Sequence, residues 1–585
     1  MIAVVLGIFL LGLGALPGIL AADALAPALP PVERRVLGLI TGLALTTIAC
    51  YLAALSGVLV LAIALLGVTT AAFAWLYLRP GDAPGAQPLA PRATGGSAHA
   101  AHLWGLAAVA LAFAAFATPL LLRPVPQGWD PAFHSAIIDS IRRLGELPTT
   151  WGPYEPAEKF NYPAAMHAVF ALYAKLSGVA PDSAFTLGFL WIGALMLLAV
   201  YALGLRFGGG SARAGTLAVL VYGLSDGWGT LAGHAGWGGL PNLAGLVLMA
   251  GFVLAVSEPS RGGIVLAALL AAAIAFTHHL SFALLGFSVG VLVLLELVVE
   301  RRWSAAGKAG FWAIALAVAT AGLLVMLRPS GRFDLLHAFK FEREKMTDLF
   351  KAWEVMGPVL LAGGLAGLVA SLFSHRAPGQ RLLPAWTVGL LAFWVLWDMV
   401  YRAAVWWIAH GSWTALTPSR GLTDAAVPLA VCLALLVDRL ASRLPSRWPW
   451  AVVGAAALAL AALGYPGERD RVRGAPASRG EFAGARELCE AVKKQTPPDA
   501  ILFAPNAGEV GIWLPYLCNR ELNYFPDPGY YQSPYRETKM RLQDPKEFAR
   551  FVAPQGRQTF YATRGQASFP RVASVGGWNL YRIGP

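Results

Sequence analysis

Charge is what this chain lacks most. Asp, Glu, Lys and Arg make up 13% of its 585 residues, where a soluble domain carries about 25%. That deficit excludes an ordinary water-soluble fold. Apolar runs of roughly 20 residues, the length that crosses a bilayer, recur over most of the chain, and no soluble core would hide them all. Cysteine is scarce too, with four residues, no Cys-x-x-Cys pair and no zinc spacing. Cys50 and Cys432 sit in apolar runs, where Cys behaves as a small hydrophobe. Cys489 and Cys518 share the polar tail, where spacing alone leaves a disulfide open. The tail also lacks a Gly-rich phosphate loop and a nucleophile elbow, so it is read as an accessory unit. The net charge of +12 is read as basic loops beside anionic lipid, with no nucleic-acid partner.

The apolar windows number about fourteen, three of them before residue 103 and eleven between 103 and 465. Short connections fall into two sets. One carries Arg34 and Arg35, Arg79 and Arg92, Arg206 and Arg213, Arg261, Arg301 with Arg302 and Lys308, Arg376 and Arg381, and Arg439 with Arg443 and Arg447. The other, near Ser56, Gly233 and Leu280, has no Lys or Arg. Basic short loops mark the cytoplasmic side. The long loops 123–183, 328–354 and 402–421, and the tail from about Gly467, are therefore expected outside the cytoplasm. The first apolar run has no basic n-region and is read as a span, not a cleaved signal peptide.

Candidate chemistry gathers in the outer loops. Gly128-Trp129-Asp130-Pro131-Ala132-Phe133-His134 follows a span, and Asp130-Pro131 is a helix start with Asp as cap and Pro in the first turn. Capping explains an Asp at this position without any catalytic role. His134 stands one turn up the same face. Ile137, Ile138 and Ile141 then alternate with Asp139, Arg142 and Arg143, the pattern of a helix lying on a membrane surface with its charges in water. Phe160-Asn161-Tyr162-Pro163 opens a second amphipathic stretch through His167 to Gly178. Tyr162 and His167 are candidates to bind a sugar or phosphate and equally suit interfacial anchoring. His278 and His279 end a span, where helical geometry would point them about 100° apart; without a third ligand they do not make a zinc site. Arg402, beside Asp398 and the Trp-rich stretch Trp406, Trp407 and Trp413, and Arg420, just before a span, are candidate phosphate ligands because guanidinium binds two oxygens at once. The 328–354 loop mixes Arg332, Lys340, Arg343 and Lys345 with Phe333, Phe339, Phe350 and Trp353, and reads as a substrate lid or as a helix on anionic headgroups.

In the tail, helical period over Phe482–Lys494, a buried strand at Ile501–Phe503, a helix over Val510–Cys518, a helix from Pro545 capped by Asp544, and strands at 558–562 and 579–583 predict a small α/β unit.

Asp-Pro-x-x-His after a span, a Gly-x-x-Pro break at Gly145–Pro148 and Tyr-Pro before a second surface helix resemble the GT-C superfamily of integral-membrane glycosyltransferases. The Gly128–His134 stretch is most similar to oligosaccharyltransferases, and the multispan body with a short tail to polyprenyl-phosphate-sugar transferases. The likeness covers roughly 103–585. It implies a polytopic α-helical membrane protein with a small C-terminal soluble α/β domain, divided into additional N-terminal helices (1–102), a catalytic transmembrane region (103–465) and an extracytoplasmic domain (466–585). The resemblance further implies an inverting glycosyltransferase in the cell membrane. Its donor would be a polyprenyl-phosphate-linked sugar, its acceptor a glycan, lipid or protein, and Asp130 its general base. His134, Tyr162, His167, His278, His279, Arg402 and Arg420 would then bind substrate. The first loop lacks the paired Asp-Glu of protein mannosyltransferases and aminoarabinose transferases, so no motif supports a divalent cation. The tail offers Gly511-Ile512-Trp513-Leu514-Pro515 in place of Trp-Trp-Asp-Tyr-Gly, which counts against a peptide acceptor. A transporter and a lipid-linked polysaccharide polymerase or ligase remain the alternatives.

Overall fold

The computed structural model describes residues 2–78, 96–123, 125–126, 130–160, 162–257, 260–299, 303–326, 351–374, 381–407, 418–445, 448–505, 507–523 and 534–584. Helices dominate it. Among the described residues, Pro31–Leu55, Leu61–Leu78, Ala100–Leu122, Pro181–Phe207, His279–Val298 and Gly421–Ala441 are long and apolar enough to cross a membrane, and shorter apolar helices pack beside them. Helix Leu61–Leu78 leaves Val68, Trp75 and Leu78 60–73% exposed. A whole apolar helix open on its surface is a lipid-facing element, because water would penalise that area at roughly 25 cal/mol per Å².

The first two helices, Ile2–Leu25 and Pro31–Leu55, meet through glycines. A side chain at Gly18 would lie 2.1 Å from the Gly42 nitrogen, and one at Gly42 would lie 2.3 Å from the Gly14 carbonyl oxygen. Small residues four apart on each helix let the backbones touch, the usual solution where lipid gives helices no hydrophobic reason to associate. Ser211, Thr230 and Ser260 cap the helices that follow them, each side chain accepting from the backbone nitrogen three residues on.

One expectation about the body changes. His278 does not lie within a helix. It is an extended residue (φ −157°, ψ 100°) that alone joins helices Arg261–Thr277 and His279–Val299, so the 100° rule does not set its direction relative to His279. The change from apolar to polar composition near Gly467 falls inside one continuous helix, Trp448–Gln495. That helix runs from the apolar body into the tail.

The tail sheet has five strands in the order Glu521–Leu522, Ile501–Phe503, Thr559–Thr563, Trp578–Arg582, Arg571–Val575. The first three run parallel and the last two pair antiparallel to their neighbours. Helix Gly508–Cys518 connects two parallel strands, and Pro545–Val552 packs Phe548 onto Phe503 at a ring separation of 4.4 Å. Asp544 accepts from the nitrogens of Lys546 and Glu547, as its spacing predicts. Cys489 of the long helix and Cys518 are joined in a disulfide. Strands Glu521–Leu522 and Arg571–Val575 and helix Pro534–Arg541 carry no strong periodicity and were not predicted. Residues 328–350 and 408–417, the greater part of two long loops, lie outside the described residues.

Candidate active site

Helix Asp130–Leu144 carries the first candidate residues of the first long loop. Asp130 opens it, partly exposed, and every residue from Pro131 to Ile141 is buried. The expected surface helix with charges in water is thus corrected. It packs between helix Ala165–Ser177, helix Pro181–Phe207 and the tail helix Gly508–Cys518. Asp139 was expected in water and is only 7% exposed. Its carboxylate can be buried because Arg142 at 2.7 Å, Arg143 at 2.8 Å and the Tyr154 hydroxyl at 3.1 Å all donate to it.

One turn above Asp130 the site becomes aromatic. Phe133 lies 4.8 Å from Trp151 and 5.3 Å from Tyr162 between ring centroids. His134 stacks on Phe185, and its Nδ1 lies 2.9 Å from Nε2 of His167. Tyr162 edges toward His167 at 5.5 Å. Gly178 ends the helix bearing His167 in the left-handed region (φ 71°), where the missing Cβ removes the strain any other side chain would meet.

Burial, and then the neighbouring His167 and His278, hold His134 well below the usual imidazole range. Burial alone pushes His167 down to about 3. Both rings are therefore neutral near neutral pH, and their shared hydrogen bond uses one donor nitrogen and one acceptor. Nδ1 of His167 is buried with no hydrogen-bond partner among the described residues. A neutral, preorganised ring pair of this kind can donate to or accept from a polar substrate without the desolvation cost of a charge.

The structure brings together His134, Tyr162, His167 and His278, and places His279 beside His278 with ring centroids 5.8 Å apart. Arg402 and Arg420 belong to helices Leu382–Trp407 and Pro418–Ala441, but their side chains lie outside the described residues, as does that of Asp398. Gly128 and Trp129 lie outside them too. Among the described residues no group of three His, Cys, Asp or Glu is placed to hold a metal ion.

Sequence reasoning missed the polar groups behind this cluster. His234, Asn242 and Asp424 are each no more than 1% exposed, although Asp424 lies in a span and Asn242 at the start of an apolar helix. An Asp at membrane depth was the available signal. The short helix Leu231–Trp237 that carries His234 ends at Gly238, where a Cβ would fall 2.2 Å from Pro131. That close approach seats the 225–239 connection against the start of the Asp130 helix.

A separate cavity of about 470 Å³ lies toward the other end of the same helix. Asp139, Arg142, Arg143, Arg486, Lys493 and Tyr516 contribute to its walls, and Asp130 does not.

No family model and no curated protein sequence matches the chain. Solved structures do. ArnT from Cupriavidus metallidurans bound to undecaprenyl phosphate matches with a TM-score of 0.55 at 14% identity, covering 82% of this chain and 98% of ArnT. The apo form of the same protein matches with a TM-score of 0.55 at 15% identity, covering 83% and 98%. An oligosaccharyltransferase from Archaeoglobus fulgidus, in complex with Zn and sulfate, aligns with a TM-score of 0.46 at 14% identity, over 78% of this chain and 67% of that one. The chain shares the fold of ArnT.

Proposed function

We propose that this chain, a GT-C fold with its polar groups gathered at one loop helix, is an inverting glycosyltransferase of the cell membrane, acting on the extracytoplasmic side. Its donor is a sugar carried on a polyprenyl phosphate and its acceptor a hydroxyl of a glycan, lipid or protein. The observation that carries this reading is the position of Asp130: partly exposed at the head of an otherwise buried helix, one turn from His134, in a fold shared with a protein that binds undecaprenyl phosphate. The shared fold also favours group transfer over transport.

In this reading Asp130 takes the proton of the acceptor hydroxyl as its oxygen attacks the anomeric carbon. The bond from that carbon to the phosphate oxygen breaks, and polyprenyl phosphate leaves with the electron pair. A positioned base is worth roughly 10²–10⁴ in rate, and donors aimed at the leaving phosphate a comparable factor or more. His278 and His279, with Arg402 and Arg420, are the proposed donors; Tyr162, His134 and His167 line the sugar side.

The test uses full-length protein in nanodiscs. Asp130→Asn is expected to bind undecaprenyl phosphate as the wild type does and to lose transfer from undecaprenyl-phosphate-linked sugars by at least the lower end of that range. Transfer close to wild type would remove Asp130 from the role of base. Failure of the wild type to bind undecaprenyl phosphate would overturn the donor class.

A further inference from the structure

The cavity of about 470 Å³ toward the far end of the Asp130 helix lies apart from the histidine cluster, and four elements build it. Arg142 and Arg143 come from the last turn of helix Asp130–Leu144, and Pro181 opens span Pro181–Phe207. Tyr516 and Asn519 come from the end of the tail helix Gly508–Cys518. The fourth wall is the long helix, whose Arg486, Glu490 and Lys493 recur at helical spacing on one face. A helix face turned toward packed neighbours is ordinarily apolar. This one is charged. The walls are also fixed to one another. Cys489 of the long helix is bonded to Cys518 of the tail helix, and Arg486 and Tyr516 both donate to Asp182 of the span, at 2.6 Å and 3.1 Å.

Local pairing explains part of this charge. Arg142 and Arg143 hold Asp139, Arg486 holds Asp182, and Lys493 holds Glu490. Cations in a last helical turn also answer the helix dipole. Two things are left over. Four cations line the cavity against two carboxylates, Asp139 and Glu490, while Asp182 is buried and does not line it. In addition, Nε of Arg142 and Oδ1 of Asn519, both on lining residues, are buried with no hydrogen-bond partner among the described residues. One is a donor and the other an acceptor, and buried polar atoms of either kind normally have partners. Arg142 and Arg486 each reach their carboxylate through Nη2, which leaves other N–H groups of each guanidinium for a second oxyanion. A simple anion would answer the cations and the donor, and a neutral sugar the acceptor. A sugar bearing an oxyanion answers both, with its hydroxyls on Asn519 and the carboxylates. Cavities of this volume hold ligands of that size.

We propose that this cavity binds an acidic saccharide, a sugar unit carrying a carboxylate or a phosphate, and that this unit belongs to the acceptor. The helix sets the geometry for the second half of that statement. Asp139 and Arg143 stand about 13–20 Å along it from Asp130, at roughly 1.5 Å per residue. A donor phosphate held there would leave the sugar out of reach of Asp130. A short acceptor oligosaccharide spans the interval, with its reacting hydroxyl at Asp130 and its acidic unit in the cavity. The assignment to the acceptor rests on the function proposed above; the binding of an acidic saccharide does not.

The experiment is calorimetric titration of the full-length protein, in nanodiscs of phosphatidylcholine, with digalacturonate, with glucose phosphate and with the neutral disaccharide lactose. An acidic probe is expected to bind at least about tenfold more tightly than lactose, and to bind more weakly as salt is raised. Lys493→Ala is expected to weaken that binding about five- to tenfold, and Glu490→Gln to tighten it by up to about the same factor. Both side chains are well exposed, so both variants are expected to melt as the wild type does. Asp130→Asn is expected to bind the probe unchanged. Failure of both acidic probes to bind, equal binding of lactose, or one affinity shared by the Lys493 and Glu490 variants overturns the site. Replacing part of the phosphatidylcholine by phosphatidylglycerol tests the rival occupant. Displacement of digalacturonate by that lipid, persisting at raised salt, assigns the cavity to headgroups and overturns the saccharide. In the transfer assay, digalacturonate is expected to inhibit the wild type and to inhibit Lys493→Ala less; binding without inhibition overturns the link to the acceptor. The titrations need no donor, so their failure is distinct from failure of the proposed function.

Discussion

The helix Asp130–Leu144 lies between two polar regions built on opposite plans. At the seam between the first long loop and the tail, charge meets charge. Lys539, fully buried, sits 2.7 Å from Glu155 of the loop and 2.9 Å from Glu521 of the tail, and Arg557 also pairs with Glu521. Arg486 of the long helix holds Asp182 at 2.6 Å, and the Tyr516 hydroxyl donates to the same carboxylate. At the histidine cluster the partners are neutral rings, a hydroxyl and an amide. Full charges paired in a dry interface hold two segments in one register, because losing either partner strands the other. Neutral donors and acceptors hold less. The seam positions the helix, and the cluster at its head is the site proposed for the chemistry.

The seam is broken most severely at its cation. Lys539→Ala removes the buried cation shared by Glu155 and Glu521 and is expected to cost about 3–5 kcal/mol, read as a lowered unfolding transition of the tail and new protease cleavage in the first long loop. An unchanged transition would show that the seam does not hold the loop. Reduction of Cys489–Cys518, which closes a sequence separation of 29 residues, is expected to cost the tail about 2–4 kcal/mol. Melting with and without reductant measures it, and the Cys489→Ser, Cys518→Ser double variant should melt like the reduced protein.

The cluster is sharpened by pH. The depressed value of His167 means that the unfolded chain binds a proton which the folded protein refuses. Its contribution is therefore complete above about 6.5, falls as the pH drops, and is exhausted near 3. At pH 5 the loss is about 2 kcal/mol, and His134, shifted the same way, steepens it. His167→Gln should flatten stability against pH below 6.5, whereas Lys539→Ala should lower the whole curve. At the exposed edge, Lys493 pairs with Glu490 at 3.0 Å, with side chains 41% and 61% exposed. Lys493→Ala is expected to change stability by less than about 1 kcal/mol, and a larger effect would extend the seam to the surface.

The same contrast explains what the sequence disclosed. Apolar run lengths marked the body, and the Asp544 cap and the Ile501–Phe503 run marked much of the tail, because those signals are local. Asp130, His134, Tyr162, His167 and His278 were each visible as polar residues near span ends. Their assembly was not, since His134 and His167 stand 33 residues apart and meet only when two helices pack. Asp139 was misplaced because helical period assigns a face without saying what covers it. The tail helix Gly508–Cys518 packs on that face, and its Tyr516, which feels the Asp139 charge, lies more than 300 positions downstream. Asn242 and Asp424, separated by 182 positions, were equally beyond local pattern. The glycine pairs Gly14/Gly18 and Gly38/Gly42 went unread in the sequence, because only tertiary contact shows that they meet.

The most direct measurement is a structure of the protein in a lipid nanodisc with undecaprenyl phosphate bound. The account predicts its phosphate among Asp130, His278 and the start of helix Pro418–Ala441, with the lipid chain passing out between spans into the bilayer. A phosphate held instead in the cavity between Arg143, Arg486 and Lys493, or on the opposite end of the helical body, would contradict it.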